Sequence, residues 1–335
     1  MTPAVKGQVE IVVASGKGGV GKSTIAASLA VLLAEKGYPL IAADADAEAP
    51  NLHLALGVEE WDQVEDYHEG RVAYITRELC TDCGVCREVC PFGAVEVVGG
   101  HYTINPYICE GCITCSMACP VKAIRYKFNL KAGVLRVKKE TRYGFPIVSS
   151  EVAPGKPNSG KLVTEVKNKA KALAGGRDAV ILIDAAAGIG CQVISSLTGA
   201  HIAVLVAEPT PASFSDLERI HKLTKHFNIA PMLVVNKYDL NPEYTSILYE
   251  YAKRSNMPIA GVIPFDESVA RALVEEKPLV KAYPESPAAK AVGEIAEYIA
   301  GEVLSDWRSW WRRYKPEKPE PYVPILVKPG KELKP

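Results

Sequence analysis

Two sets of residues in this 335-residue chain have the types and spacing to do chemistry. The first is Gly16-Lys17-Gly18-Gly19-Val20-Gly21-Lys22-Ser23-Thr24, which satisfies G-x-x-x-x-G-K-[ST]. Glycines so spaced let backbone N–H groups converge on phosphate oxygens at a helix N-terminus, and the lysine after them reaches the β- and γ-phosphates. Ser23 would ligate Mg²⁺ and Thr24 would reach the α-phosphate, so the expected ligand is a nucleoside triphosphate with its magnesium. The second set is C-x-x-C-x-x-C-x-x-x-C-P, present twice, as Cys80, Cys83, Cys86 and Cys90 and again as Cys109, Cys112, Cys115 and Cys119. Four soft thiolates in one run can wrap a metal centre from a single loop. Zinc in a Cys₄ site and disulfides are the alternatives, but zinc ribbons rarely show four cysteines in one run, twice.

The phosphate motif needs a strand before it and a helix after it, and the sequence supplies both. QVEIVVAS (8–15) is an apolar, β-rich run, and a helical pattern follows from Lys22 to about Glu35. Leu40 to Asp44, AVILID (179–184), HIAVLVAE (201–208) and PMLVVNK (231–237) read as further buried strands, with helical patterns near 213–227 and 242–254. That alternation predicts an α/β fold with a parallel sheet covered by helices on both faces. Residues 71–130 change character to short strands, Cys-Pro turns and two brief helical segments. A self-match at an offset of 29 residues lays Cys80, Pro91 and Ala94 onto Cys109, Pro120 and Ala123, the mark of an internal duplication in an inserted module. The expected divisions are therefore 1–70, 71–130, 131–304 and 305–335. Residues 131–160 are read as a basic stretch and a return loop, and the Pro-rich end after about 315 as an extended tail.

Lys+Arg and Asp+Glu both number 39, which gives no basic excess and argues against nucleic acid as a partner. No signal segment or long apolar run is evident, so a soluble, cytoplasmic protein is expected.

The run SGKGGVGKST, with Lys17 directly after the first glycine, resembles the MinD/ParA/Mrp/nitrogenase-iron-protein superfamily of deviant Walker A P-loop ATPases. The resemblance implies ATP as the nucleotide and an ATP-bridged homodimer in which Lys17 acts in trans on the partner's nucleotide. It also implies that Asp46 orients the attacking water, with Asp44 supporting the Mg²⁺ shell, that Asp184 holds the magnesium water shell, and that Gly188 is the switch II glycine. Relatives usually show D-x-P-P-G there, whereas this chain has Asp184-Ala185-Ala186-Ala187-Gly188, and losing two prolines leaves φ less constrained and the switch expected to be more mobile. Asn236 in Asn236-Lys237-Tyr238-Asp239 is expected at the adenine edge, although N-K-x-D also reads guanine in GTPases.

The paired cysteine runs are similar to the bacterial two-cluster ferredoxin run, in which the fourth cysteine of each run ligates the other cluster. By that resemblance an α+β module holds two [4Fe–4S] clusters, one on Cys80, Cys83, Cys86 and Cys119 and the other on Cys109, Cys112, Cys115 and Cys90. The ninth cysteine, Cys191 in GIGCQVI, is read as a buried inert thiol, the alternative being a cysteine that faces its copy across a dimer, as the bridging-cluster cysteine of the nitrogenase iron protein does.

Together the motifs resemble MinD-superfamily ATPases with an inserted ferredoxin domain. That implies ATP hydrolysis coupled to electron transfer or cluster delivery to a redox or iron–sulfur client protein. A MinD-like positioning ATPase on a membrane and a redox-sensing regulatory ATPase are the alternatives. The aromatic, basic stretch at 305–315 (Trp307, Trp310 and Trp311 with Arg308, Arg312 and Arg313) could lie in a bilayer interface, but packing on the core is the favoured reading.

Overall fold

The computed structural model describes residues 5–154 and 159–317; the Pro-rich end and part of the APGKPNSGK loop lie outside the described residues. Eleven strands are present among them: β1 Gln8–Ser15, β2 Leu40–Ala45, β3 Gln63–Ile75, β4 Val95–Val98, β5 His101–Ile104, β6 Ile124–Lys138, β7 Ile147–Val152, β8 Ala179–Ala187, β9 Ile202–Ala207, β10 Ala230–Asn236 and β11 Ile259–Ile263. Nine of them form one sheet in the order β11-β10-β9-β1-β8-β2-β7-β6-β3. From β11 to β7 every neighbouring pair is parallel. Residues alternate between the sheet faces, so Val9, Ile11 and Val13 enter one core while Val12 and Ala14 enter the other. Helices Lys22–Glu35 and Pro287–Tyr298 close the first face, and helices Ser159–Ala174, Cys191–Leu197, Pro211–Phe227 and Pro242–Arg254 close the second.

The expected divisions need correction at two points. A boundary at 70 falls inside β3, because β3 and β6 pair antiparallel along their whole length, from Gln63 opposite Val137 to Ile75 opposite Ile124. The ribbon both ends the main sheet and carries residues 76–123, so the cysteine segment is continuous with the sheet through two hydrogen-bonded strands. Residues 131–160 are likewise more than a connection: β6 is antiparallel to β7, and β7 pairs parallel with β2 at Ala42–Ile147. The expected all-parallel sheet thus has an antiparallel member near one edge. The segment itself holds the two-stranded β4–β5 sheet and the two brief helices Val85–Glu88 and Thr114–Ala118.

The aromatic stretch near the C-terminal end forms a helix, Trp307–Tyr314, whose face is core. Trp307 and Trp310 are buried in the first cluster, Trp307 Nε1 donates to Lys6 O at 3.1 Å, and Trp311 Nε1 donates to Asn228 O at 3.1 Å. Among the described residues no helix is long and apolar enough to cross a membrane. Truncating a buried tryptophan costs about 3–5 kcal/mol. Trp307→Ala is therefore expected to lower the denaturant midpoint sharply in chemical unfolding; an unchanged midpoint would mean this face is not core.

Candidate functional site

The sheet order brings the C-terminal ends of β9, β1, β8 and β2 side by side, and the chemistry gathers there. The loop after β1 turns into helix Lys22–Glu35 through Gly21 at φ 89°, where a side chain would lie 2.5 Å from Asn236 Nδ2. Lys22 is nearly buried, and its Nζ lies 3.0 Å from Asp184 Oδ1. Asp184 is fully buried, and its Oδ2 has no hydrogen-bond partner. An orphaned carboxylate oxygen beside a P-loop serine fits a hydrated Mg²⁺, which binds few protein ligands directly and keeps several waters. Ser23 begins the same helix one residue on, so Ser23 and Asp184 are the groups that could hold that ion.

Asp44 faces Asp184 across the β2–β8 register. Its oxygens accept from the N–H groups of Asp46 at 3.2 Å and Leu52 at 3.0 Å. Asp44 therefore shapes the loop after β2 and holds the first N–H of the short helix Leu52–Ala55. Burial pushes its carboxyl up to about 6; hydrogen bonding to His53 opposes the rise and the neighbouring Asp184 charge adds to it. Asp46 is half-buried and lines a cleft shared with Glu48, Ala49, Ala186, Ala187 and Cys191. Its Oδ1 accepts from Ala49 N at 3.1 Å, and burial raises its carboxyl as well. Gln192 Oε1 accepts from Ala47 N at 2.8 Å, which ties this loop to the start of helix Cys191–Leu197. No sequence signal marked Gln192.

The alanines of Asp184-Ala185-Ala186-Ala187-Gly188 do not make a loose loop. β8 continues to Ala187, opposite Ser15, and Gly188 N donates to Ser15 O at 3.0 Å with Gly188 at φ 96°. Without prolines the backbone keeps its N–H groups and extends the ladder.

On the other side of the loop Asn236 Nδ2 donates to Val20 O at 2.8 Å, while its Oδ1 accepts from Lys237 N. Asn236 thus braces the P-loop, and its amide keeps a second proton for a base edge. Asp239 Oδ1, which a guanine reader would need, accepts from Phe265 N at 2.7 Å. Glu208, missed in the sequence, lies between Lys17 and Lys237 at 3.1 and 3.2 Å. Burial alone would raise its carboxyl, but the two lysines hold it below the ordinary range. An acid one residue past a strand next to β1 was the available signal.

The eight clustered cysteines line two separate cavities. Cys80, Cys83, Cys86 and Cys119 line one, and Cys90, Cys109, Cys112 and Cys115 line the other. All are free thiols. The backbone repeats as the sequence does: the left-handed residues Asp82, Gly84 and Gly93 recur at Gly111, Ile113 and Lys122, again 29 positions on. Positive φ in a β-branched residue such as Ile113 is strained, so the loop fold around the thiols outweighs local preference. Backbone N–H groups point at the sulfurs: Ala94 at Cys90 (3.3 Å), Ala123 at Cys119 (3.2 Å), Asp82 at Cys80 (3.4 Å) and Ala73 at Cys109 (3.4 Å). Among the described residues no three His, Cys, Asp or Glu side chains converge closely enough to hold a single metal ion. Cys191 is exposed at the cleft beside Asp46 and does not join these sets, which corrects the expectation of a buried thiol: it starts helix Cys191–Leu197 at the cleft's edge.

The Asp44 environment gives a pH test. The folded state keeps a proton on Asp44 between the ordinary 3.8 and about 6, whereas the unfolded chain releases it. Asp44 therefore supports folding below that window, and the support is lost as pH rises through it. In nucleotide- and metal-free protein, the stability of wild type minus Asp44→Asn is expected to fall on the order of 1–3 kcal/mol from about pH 4 to pH 7 by urea unfolding. A flat difference would contradict the buried, raised carboxyl.

Comparison with known proteins agrees with this geometry. Residues 11–279 match the family described as the CobQ/CobB/MinD/ParA nucleotide binding domain. The uncharacterized protein MJ0578 of Methanocaldococcus jannaschii is 32% identical over 274 residues, covering 80% of this chain and 88% of that protein. The chloroplastic septum site-determining minD homolog of Arabidopsis thaliana is 26% identical, covering 85% of this chain and 73% of its own length. Among solved structures, the septum site-determining protein MinD from Pyrococcus horikoshii OT3, complexed with Mg-ADP, shares the fold with a TM-score of 0.55 at 23% identity, covering 88% of this chain and 97% of that one. The P-loop on β1, the buried Lys22–Asp184 pair and the match across most of the chain lead to one conclusion: this protein belongs to the CobQ/CobB/MinD/ParA nucleotide-binding family.

Proposed function

We propose that this chain is a cytoplasmic ATPase whose nucleotide-driven homodimer cycle serves a pair of [4Fe–4S] clusters held by its cysteine segment. The observation that carries the iron–sulfur half is the partition of eight thiols into two cavities, each taking three cysteines from one repeat and the fourth from the other. A zinc site also takes four thiolates, but a fourth sulfur exchanged between two repeats is the arrangement of the two-cluster ferredoxin run. When bound, such clusters take up and release single electrons at potentials set by sulfur hydrogen bonds, charge and exposure. The ATPase half rests on the family and on the P-loop geometry. Lys22 and the loop amides would hold the β- and γ-phosphates, and Ser23 and Asp184 the hydrated Mg²⁺. Asp46, in the cleft, would orient water toward the γ-phosphate. Lys17 would stabilise charge on the partner's nucleotide, as an arginine finger does. The adenine nucleotide and magnesium in the Pyrococcus horikoshii MinD structure favour ATP over GTP, as does the engaged Asp239. Dimer closure would then control a redox or iron–sulfur client's access to the cysteine segment, through the β3–β6 ribbon.

A MinD-like positioning role is the second reading, favoured by relatives named for septum-site determination in Arabidopsis thaliana and Helicobacter pylori. In this chain the aromatic helix that such a role could turn toward a membrane is packed in the core. ATP-dependent co-sedimentation with anionic liposomes would favour the positioning role.

Two measurements decide the proposal. Protein purified without oxygen is expected to contain iron and acid-labile sulfide in equal amounts, Cys83→Ser and Cys112→Ser each losing about half of the iron. Zinc or no metal in those preparations would overturn the iron–sulfur half. Lys22→Ala is expected to abolish nucleotide binding while iron content stays whole. Lys17→Ala should keep nucleotide binding yet lower ATP turnover on the order of a hundred-fold or more, and an unaltered rate would remove the role in trans.

A further inference from the structure

Glu208 stands one residue beyond β9, at the edge of the phosphate loop, and its carboxylate bridges two lysines. Oε1 lies 3.1 Å from Lys17 Nζ and Oε2 3.2 Å from Lys237 Nζ, while Lys237 also donates to Gly19 O at 3.4 Å. The support behind Glu208 is firm. Its N–H donates to Ser213 Oγ at 3.0 Å, Ser213 N is capped by Thr210 Oγ1 at 3.2 Å, and both belong to the start of helix Pro211–Phe227. The same helix abuts the P-loop, since a side chain at Gly16 would overlap the Asp216 backbone. Glu208 is 13% exposed and Lys17 is 43% exposed, so the carboxylate is the fixed member of the pair and the lysine the movable one.

In the single chain Lys17 is therefore turned toward its own molecule. A lysine held by a carboxylate at 3.1 Å is not free to approach a phosphate elsewhere. We propose that Glu208 is a positioning residue that holds Lys17 over its own P-loop, and that a second nucleotide-loaded copy of the chain must draw Lys17 off Glu208 for the dimer to close. The proposal rests on the reading that Lys17 acts in trans. Glu208 stays paired with Lys237 after Lys17 leaves, so release does not strand a charge. The latch opposes closure by the strength of the ion pair, and a symmetric dimer breaks two of them. Pairs of this exposure are weak, which sets the expected effect at about two- to three-fold each and about four- to ten-fold for the dimer.

The test is sedimentation velocity of the full chain across protein concentrations with a non-hydrolysable ATP analogue. Glu208→Gln is expected to lower the dimer dissociation constant about four- to ten-fold. Glu208→Asp, which keeps the charge but shortens the reach, should fall between it and wild type. Adding Glu208→Gln to Lys17→Ala should change nothing further. An unchanged or weaker dimer in Glu208→Gln protein that retains its circular dichroism overturns the latch, as does an equal gain in the Lys17→Ala background. Should Glu208→Gln misfold, Glu208→Asp carries the same decision, because a constant identical to wild type's overturns the proposal. If Lys17→Ala dimerises and hydrolyses ATP like wild type, the action in trans fails and the latch fails with it. A defect in Lys17→Ala beside a silent Glu208→Gln removes the latch alone.

Discussion

The buried pair of Lys22 and Asp184 is the constraint around which the site is arranged. A charged group withdrawn from water needs a partner in good geometry, and removing either one would leave an uncompensated charge in the core. The 3.0 Å contact exists because β1 and β8 are neighbours in register, which brings the residue after the P-loop glycines over the end of β8. The same neighbourhood sets Asp44 against Asp184, whose negative charge adds to the rise that burial causes in the Asp44 carboxyl. Without nucleotide, each cation of the loop is matched by an acid of the protein: Lys22 by Asp184, and Lys17 and Lys237 by Glu208. Phosphate would compete with Asp184 for Lys22, so its arrival would redistribute that pair.

That redistribution has solid contacts to act on. Gln192 joins the Asp46 loop to helix Cys191–Leu197. Lys167, on helix Ser159–Ala174, donates to the carbonyls of Ser196 and Thr198 at 2.8 and 2.5 Å and pairs with buried Glu10 at 3.1 Å. A cation at a helix C-terminus satisfies orphan carbonyls and complements the dipole. Helix Ser159–Ala174 in turn holds the ribbon through Lys169–Glu65 at 2.7 Å and Lys161–Glu69 at 2.5 Å. The ribbon pairs are exposed and individually weak. Together with the continuous β3–β6 ladder they fix where the cysteine segment sits relative to the nucleotide loop.

What the sequence disclosed follows from how local each signal is. β1, helix Lys22–Glu35 and helix Pro242–Arg254 appear at the limits read from periodicity, since their apolar patterns and caps are complete within the segment. The repeat and both thiol sets were legible because ligand spacing is itself the signal. β3 and β6 were not, because long stretches of them are largely exposed (QVEDYHEG and YKFNLK) and only pairing with each other makes them strands. β7 and helix Ser159–Ala174 were hidden by the basic and Pro-Gly-rich residues around them. Glu208, Gln192 and Lys167 act across roughly 30 to 190 residues of chain, a kind of contact that no local pattern encodes.

The cysteine segment carries the argument one step further, into its own stability. Between residues 76 and 123 the buried apolar side chains are few, chiefly Val95 with the alanines Ala94 and Ala123, and Cys86 and Cys115 are themselves part of that small cluster. Leu79, Phe92, Val98, Tyr107, Ile108 and Met117 are exposed instead. A stretch of this size with so little core needs a staple, and small domains find one in disulfides or metal. Its cysteines are free thiols, so no disulfide among the described residues supplies that staple, and under the proposed function the clusters would. Because each cavity draws its fourth sulfur from the other repeat, filling either one would pin both halves together. On the proposed reading the segment's order and its cofactor are one question, and the ribbon alone supplies the rest of its support.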